Sequence, residues 1–183
     1  MKKLFSAMLV LCAISLQAQD KYFTKAGTVT FFSKAPLEDI EAHHKAVTCV
    51  LDTKTGNLQF AILMKGFEFE KALMQEHFNE NYVESHKYPK AEFRGQVINN
   101  KDVNYSKDGA YEVNVKGKLT IHGVTKDAEA IGKVVVKDGK PLATSTFNIL
   151  LSDYKIEIPR IVKDNISNTV KIDVTCSLEP LKG

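Results

Sequence analysis

His77 has the side chain best suited to acid–base chemistry or to binding a polar ligand group. It falls at helical spacing on one stripe with Leu73, Met74, Phe78 and Asn81. A lone histidine on an apolar stripe is usually a hydrogen-bonded structural residue, because a buried imidazole needs a partner. We therefore predict a structural role for His77, and contact with the polar head of a ligand is the alternative.

The other histidines and carboxylates form no recognisable catalytic or metal-binding motif. His122 stands in a His-Gly turn between two strands, which favours a structural role. His43 and His44 are adjacent, so their side chains diverge, and no carboxylate or cysteine follows at metal-ligand spacing. The sequence has no Gly-x-Ser-x-Gly, phosphate-binding glycine loop or Cys-x-x-Cys. We predict no catalytic residue, metal or cofactor; an enzyme would have Glu76 and Asp153 as acid–base candidates, together with the histidine of the apolar stripe.

The N-terminus has the layout of a secretory signal peptide. Lys2 and Lys3 are followed by the apolar run 4–16, and Ala18 supplies a small residue before a polar stretch. The run is too short to span a bilayer, and no later run is longer. The sequence therefore predicts a signal peptide over residues 1–18, one mature domain over 19–183, and a periplasmic or secreted protein.

The charge balance argues against nucleic acid as a partner. Removal of the two leader lysines leaves 23 basic and 22 acidic residues, with the lysines scattered along the chain. Cys49 and Cys176 remain in the mature chain, and an oxidising compartment permits a disulfide between them. Each lies in an apolar alternating run, so we favour two buried, unpaired thiols.

Apolar and polar residues alternate along most of the mature chain, with turn residues between the runs. An even number of antiparallel strands allows the last to return beside the first, so we predict an all-β, eight-stranded antiparallel barrel; two stacked sheets fit the same periodicity. The predicted strands are 28–32, 47–51, 58–64, 91–97, 111–121, 128–136, 143–151 and 170–178.

Two segments have helical rather than strand character. The spacing predicts a helix over Phe69–Asn79, inserted between strands three and four, and a short helical turn over 36–41 that begins at a proline. Long insertions in compact domains are often functional. We therefore expect the mouth beside the 69–82 segment to admit a ligand.

The apolar faces of the strands predict the lining of the barrel interior. Large and small residues are mixed there, and such a mixture either interlocks into a dry core or leaves a tunnel for an apolar chain. The residues predicted to line the lumen are Phe60, Ile62, Met64, Phe93, Val115, Leu119, Phe147, Ile149 and Ile172.

Three parts of the chain resemble the YceI-like family in order and spacing. The first is LMQEHFNENYVES with KYPKAEFRG, residues 73–85 and 87–95; the second is GKLTIHGVTK, residues 117–126. The third comprises residues 147–149 and 153–156. The chain departs from the family pattern at Gln75-Glu76, at Leu151-Ser152 and at 33–36, so no head-group contact is carried over from relatives.

The resemblance implies an exported, lipocalin-like barrel that binds a polyisoprenoid, such as a polyprenyl chain or an isoprenoid quinone. We therefore expect carriage, storage or sequestration of an apolar lipid, with fatty acids as further candidate ligands, and no catalysis. The alternatives are an enzyme acting on an isoprenoid or other lipid, and a packed barrel serving as an interaction module. The oligomeric state is left open.

Overall fold

The computed structural model describes residues 20–181, so the predicted signal peptide lies outside the described residues. Ten strands and one short α-helix, with several single helical turns, make up the described chain. The strands are β1 (Lys21–Lys34), β2 (Asp39–Asp52), β3 (Asn57–Leu63), β4 (Glu68–Phe69), β5 (Lys90–Val97), β6 (Gly109–Ile121), β7 (Val124–Lys137), β8 (Lys140–Leu150), β9 (Thr169–Ser177) and β10 (Glu179–Pro180); the helix is α1 (Ala72–His77).

The eight long strands close into an antiparallel barrel. Each pairs with its neighbours in the order β1-β2-β3-β5-β6-β7-β8-β9, and β9 returns to β1. At the closure, Phe31 of β1 is opposite Ala42 on one side and Ile172 on the other. Closure leaves none of the long strands as an open edge. The predicted eight-stranded barrel is confirmed, and the alternative of two separate sheets is wrong.

The two cysteines lie where β1 is irregular. The β1–β2 register shifts on both sides of Gly27, and a Cβ atom at Gly27 would lie only 2.6 Å from the Cys176 sulfur. Glycine therefore leaves room for a thiol beside the strand. Cys49 and Cys176 are both free and fully buried. The prediction of two buried, unpaired thiols is confirmed.

One end of the barrel is closed by packed side chains. Leu51, Val136 and Leu178 are almost completely buried at this end. The segment 98–108 lies here as well, and the Tyr105 hydroxyl donates a 2.8 Å hydrogen bond to Asn100. Burial raises the pKa of Tyr105 to about 12. The interior is therefore sealed at the end formed by the β2–β3 and β7–β8 turns.

The opposite end, called here the open end, has the two longest connections between barrel strands. Residues 64–89 join β3 to β5, and residues 151–168 join β8 to β9. The β6–β7 turn is a tight hairpin in which both His122 and Gly123 have positive φ, as the right-handed twist of the flanking strands favours. The barrel therefore has one sealed end and one end surrounded by long segments.

Two helix predictions need correction. The chain at Glu68–Phe69 pairs with β2, with Phe69 opposite Ala42, so α1 begins only at Ala72; a π-helical turn, Phe78–Tyr82, then continues it. The helical turn expected over 36–41 is wrong, because residues 39–41 begin β2 and pair with the end of β1. In both places inter-strand hydrogen bonding overrides local helical spacing.

Candidate functional site

An apolar cavity of about 330 Å³, called here the outer cavity, opens at the open end of the barrel. The barrel strands form one wall, α1 with its π-helical turn forms a second, and the segment 151–168 forms a third. Ligand pockets in proteins span about 300–1,000 Å³, so the outer cavity has the size of a small pocket. Its predicted lining residues are Ile62, Met64, Met74, His77, Phe78, Ile149 and Ile172.

A second cavity of about 170 Å³, the inner cavity, lies deeper in the barrel. Its lining is almost entirely apolar and includes Phe60, Ile62, Phe93, Val115, Leu119, Phe147 and Ile172. Four residues, Ile62, Ala91, Ile121 and Ile172, belong to both linings, so the two cavities abut. The register predicted for the lumen is therefore correct, and the interior is not completely filled by side chains.

Four phenylalanines hold α1 against the barrel and line the outer cavity. The Phe78 ring stacks on Phe31 with centroids 5.5 Å apart, and contacts the rings of Phe67 at 5.5 Å and Phe69 at 5.1 Å. Aromatic pairs contribute stability beyond the area they bury. These rings therefore seat the helix and form one apolar wall of the cavity.

A buried histidine supports this wall from behind. His44 donates from Nε2 to the Leu63 carbonyl at 3.0 Å and accepts the Ala46 N–H at Nδ1 at 3.1 Å. Its ring also meets Phe67 edge-on, with centroids 5.2 Å apart. The Gly66 backbone approaches His44 so closely that a Cβ there would collide with the imidazole. His44 is therefore a satisfied structural residue, as its neutral hydrogen-bond pattern indicates.

The helix divides its predicted site residues between the cavity and the solvent. Met74, His77 and Phe78 line the outer cavity, whereas Leu73 is 62% exposed and Asn81 is also exposed, both away from it. The π-helical turn explains why Asn81 faces the solvent. The Val83 N–H donates a 2.9 Å hydrogen bond to the Phe78 carbonyl, and this widens the turn. Tyr82 consequently takes the cavity-facing position after Phe78.

His122 joins the two long connections at the open end. Its Nδ1 lies 3.1 Å from the Tyr154 carbonyl oxygen, and its Nε2 lies 2.8 Å from a Glu84 carboxylate oxygen. Both neighbours are hydrogen-bond acceptors, so the imidazole bridges one acceptor from each segment. The hydrogen bond from His122 holds the pKa of Glu84 below its ordinary value. The structural role predicted for His122 is confirmed, and it fixes both segments that surround the mouth.

The acid–base candidates do not converge on the cavity. Glu76 and Asp153 are exposed and line neither cavity. Of the three acid–base candidates, only His77 lines the outer cavity. His77 is exposed, and its side chain makes no hydrogen bond within residues 20–181, so the hydrogen-bonded structural role predicted for it finds no partner there. Within residues 20–181, no three His, Cys, Asp or Glu side chains are grouped to hold a metal ion. No helix in the same range has the length and apolar character needed to cross a membrane.

Several cavity residues were not predicted. Phe31 follows Val29 on the inward alternation of β1, so the strand pattern contained the signal for it. Phe67 lies in irregular chain beyond β3, where no periodicity indicates direction, and Phe69 lies in the two-residue strand β4, which was predicted as the start of a helix. The same holds for Ile156 and Ile166 in the connection 151–168. A substantial part of the wall of the outer cavity therefore comes from segments without a regular pattern.

A closed eight-stranded antiparallel barrel with an apolar interior, sealed at one end, defines this protein as a lipocalin-like barrel. The model of the YceI-like domain matches residues 20–178, so the chain belongs to the YceI-like family. A search of curated protein sequences finds no significant match.

Solved structures share the fold at low sequence identity. A domain described as a polyisoprenoid binding domain from Saccharophagus degradans, implicated in plant cell wall breakdown, is 16% identical with a TM-score of 0.77, covering 90% of this chain and 100% of that one. BcnA of Burkholderia cenocepacia is 17% identical with a TM-score of 0.67, over 84% and 96%. The YCEI protein of Campylobacter jejuni is 20% identical with a TM-score of 0.54, over 78% and 85%.

Proposed function

We propose that this protein is exported and binds a polyisoprenoid, or a similar apolar chain, inside its barrel for carriage, storage or sequestration. The observation that carries the proposal is the pair of abutting apolar cavities that leads from the open end into the barrel. The name of the related Saccharophagus degradans domain, which states polyisoprenoid binding, supports the same ligand class. No bond is made or broken in such a role.

Hydrophobic burial alone accounts for useful affinity. Each buried CH₂ group contributes about 0.8 kcal/mol. A chain that buries about ten to fifteen carbons therefore reaches roughly micromolar affinity after the costs of association. No ion pair is needed, so selectivity among apolar chains depends on the length and width of the cavities. Isoprenoid quinones and fatty acids are accordingly further candidate ligands.

Native mass spectrometry of the protein as purified, followed by extraction, tests this proposal directly. We expect an adduct that is released by organic solvent and identified as an unmodified long-chain lipid. Chemical conversion of an added isoprenoid by the protein would instead favour an enzyme. Lipid binding would be refuted if the purified protein carries no adduct and an added polyprenol does not displace an apolar fluorescent probe from it.

A single substitution then locates the binding site. Phe78→Asp places a carboxylate in the apolar wall of the outer cavity and should weaken displacement of an apolar fluorescent probe by a polyprenol. Ile131→Asp is the matched control, because Ile131 is 63% exposed and lines neither cavity. If Phe78→Asp is folded by circular dichroism and binds as the parent does, the outer cavity is not the ligand site.

Export rests on residues 1–18 and has its own test. Expression of the full chain in a Gram-negative host, followed by fractionation, should place the protein outside the cytoplasm. The intact mass of that protein should correspond to cleavage within a residue or two of Ala18. Recovery of the uncleaved chain in the cytoplasm would contradict export without affecting the lipid-binding proposal.

A further inference from the structure

The barrel wall is incompletely paired between β7 and β8. Each long strand has a neighbour on both sides, but β7 and β8 pair from their turn at the closed end only as far as Gly132 opposite Ser145. The remaining residues, 124–131 of β7 and 146–150 of β8, are paired only on their other sides, with β6 and β9. These two facing stretches are called here the seam. The seam therefore extends from the middle of the barrel towards the open end.

Hydrogen bonds close the seam at both of its ends. At the inner end, the Ser145 hydroxyl donates a 2.8 Å hydrogen bond to the Ile131 carbonyl. At the rim, the helical turn Leu151–Tyr154 follows β8, and His122 Nδ1 lies 3.1 Å from the Tyr154 carbonyl oxygen. The seam is therefore a slit within the wall and not a notch in the rim.

Partly exposed side chains border the seam on its inward face. β7 contributes Ala128 and Ala130, and β8 contributes Phe147 and Ile149. Ala128, Ala130 and Phe147 line the inner cavity, whereas Ile149 lines the outer cavity. The seam therefore borders both cavities. A chain crossing it would pass two methyl groups on one side and two larger side chains on the other.

Widening the wall costs less at the seam than between paired strands. β6, for example, is paired with β7 at every position from Gly109 to Ile121. Separating such strands breaks a ladder of backbone hydrogen bonds and leaves polar groups without partners. Spreading of β7 and β8 along the seam loses side-chain packing and no strand pairing. The seam is accordingly the weakest part of the wall beside the two cavities.

The open end is held by hydrogen bonds among the segments that surround it. His122 links the two long connections. The Leu37 N–H donates a 3.0 Å hydrogen bond to the Asp164 carbonyl. The Ser167 N–H donates a 2.9 Å hydrogen bond to the Ser33 hydroxyl oxygen. Widening of the open end would break several of these bonds together, because they join the same segments.

We propose that the seam is a side portal through which the apolar chain enters and leaves the two cavities. This inference rests on the proposed function and adds the route of the ligand to it. β7 and β8 spread along the seam to admit the chain and return once it is inside, while the open end keeps its hydrogen bonds. A route changes the barrier to binding and not the bound state. The portal therefore governs the rates of binding and release and not the affinity.

A cross-link across the seam tests this proposal. Glu129 and Asn148 are exposed, and they would lie opposite each other if the pairing of Gly132 with Ser145 continued along the strands. Glu129→Cys combined with Asn148→Cys can therefore be joined by a flexible bismaleimide that contains a reducible disulfide. The linker limits the separation of β7 and β8 until a reductant cleaves it.

The matched control joins two strands that are already paired. Glu112 of β6 is opposite Lys133 of β7, and both are exposed. Glu112→Cys combined with Lys133→Cys takes the same reagent without spanning the seam. Cys49 and Cys176 are fully buried, so neither should react in the folded protein. The intact mass of each variant should show one linker attached at the introduced pair.

Stopped-flow fluorescence with farnesyl anthranilate, a fluorescent isoprenoid ester, measures association, and a chase with excess farnesol measures release. We expect the seam cross-link to slow both rates at least about ten-fold and to leave the Kd within about two-fold of the parent value. Cleavage of the linker should restore both rates, which damage to the fold would not allow. The control cross-link should leave the rates and the Kd near those of the parent.

The outcomes distinguish this inference from the function on which it depends. Rates unchanged by the seam cross-link would assign the route to the open end and overturn the portal, with lipid binding intact. Equal slowing by the control cross-link would also overturn it. A weaker affinity caused by faster release would mean that the seam is part of the binding site and not its entrance. If the parent protein does not bind the ester, lipid binding and this inference are refuted together.

Discussion

Truncation of Phe78 should destabilise the protein through the aromatic cluster that seats α1. Phe78 is half-buried and contacts the rings of Phe31, Phe67 and Phe69 at centroid separations of 5.1–5.5 Å. Each aromatic pair contributes about 0.5–1.5 kcal/mol beyond its buried area. Fully buried Phe→Ala changes cost about 3–5 kcal/mol. For this half-buried ring we expect Phe78→Ala to lower the free energy of unfolding by about 2–3 kcal/mol.

Thermal unfolding of delipidated protein, followed by circular dichroism, measures this loss. A domain of this size loses about 2–4 °C in Tm per kcal/mol, so the Tm should fall by roughly 4–12 °C. Phe23→Ala is the control, because Phe23 is half-buried at the closed end and contacts no other aromatic ring in the described chain. Phe78→Leu should recover part of the loss, since it restores apolar volume without the ring geometry.

Two results would refute this reasoning. The first is an unchanged Tm for Phe78→Ala, which would mean that α1 contributes nothing to the stability of the barrel. The second is an equal fall in Tm for Phe78→Ala and Phe23→Ala, which would mean that general burial, and not the aromatic cluster, accounts for the loss.

Three further predictions concern the barrel wall, the mouth and the closed end. Gly95→Ala should lower the free energy of unfolding by about 1–3 kcal/mol in a denaturant titration, because its Cβ would collide with backbone of the neighbouring strand; an unchanged midpoint would contradict this. Because the His122 hydrogen bond lowers the pKa of Glu84, ionised Glu84 contributes stability above the ordinary glutamate pKa, and that stability is lost as pH falls through the lowered value. The Tm of Glu84→Gln should therefore lie below that of the parent at neutral pH and converge with it in acid, and a constant difference would be the contrary result. Contact with Cys176 and burial raise the pKa of Cys49, so native protein should resist a thiol reagent; denatured protein should titrate two thiols if the leader is removed and three if it is retained.

Most of the barrel could be predicted because alternation is a local signal. In a half-buried strand, apolar side chains point to the interior and polar ones to the solvent. The alternating runs around Phe60, Val115 and Phe147 therefore predicted both the strands and their inward faces. The structure extends β1 and β2 well beyond the predicted bounds, to Lys21–Lys34 and Asp39–Asp52. The added part of β1, 21–27, lacks clean alternation, and the buried polar residue His44 interrupts the apolar face in the added part of β2, 39–46.

The predicted helix shows where a local signal is insufficient. Helical spacing placed Met74, His77 and Phe78 correctly at the cavity, but it also included Leu73 and Asn81. A stripe on a short helix covers a wide arc, and only packing against the barrel decides which part faces inward. The π-helical turn widens the helix locally after His77, and the spacing of apolar residues in the sequence does not predict it.

The sequence alone determined the class of fold, the number of barrel strands and the apolar character of the interior, because each depends on the alternation of neighbouring residues. Only the tertiary structure decided that Phe31 lies between Ala42 and Ile172 and that the interior keeps two abutting cavities. These features join segments far apart in the chain. Their geometry follows from strand register and loop packing, which no local pattern contains.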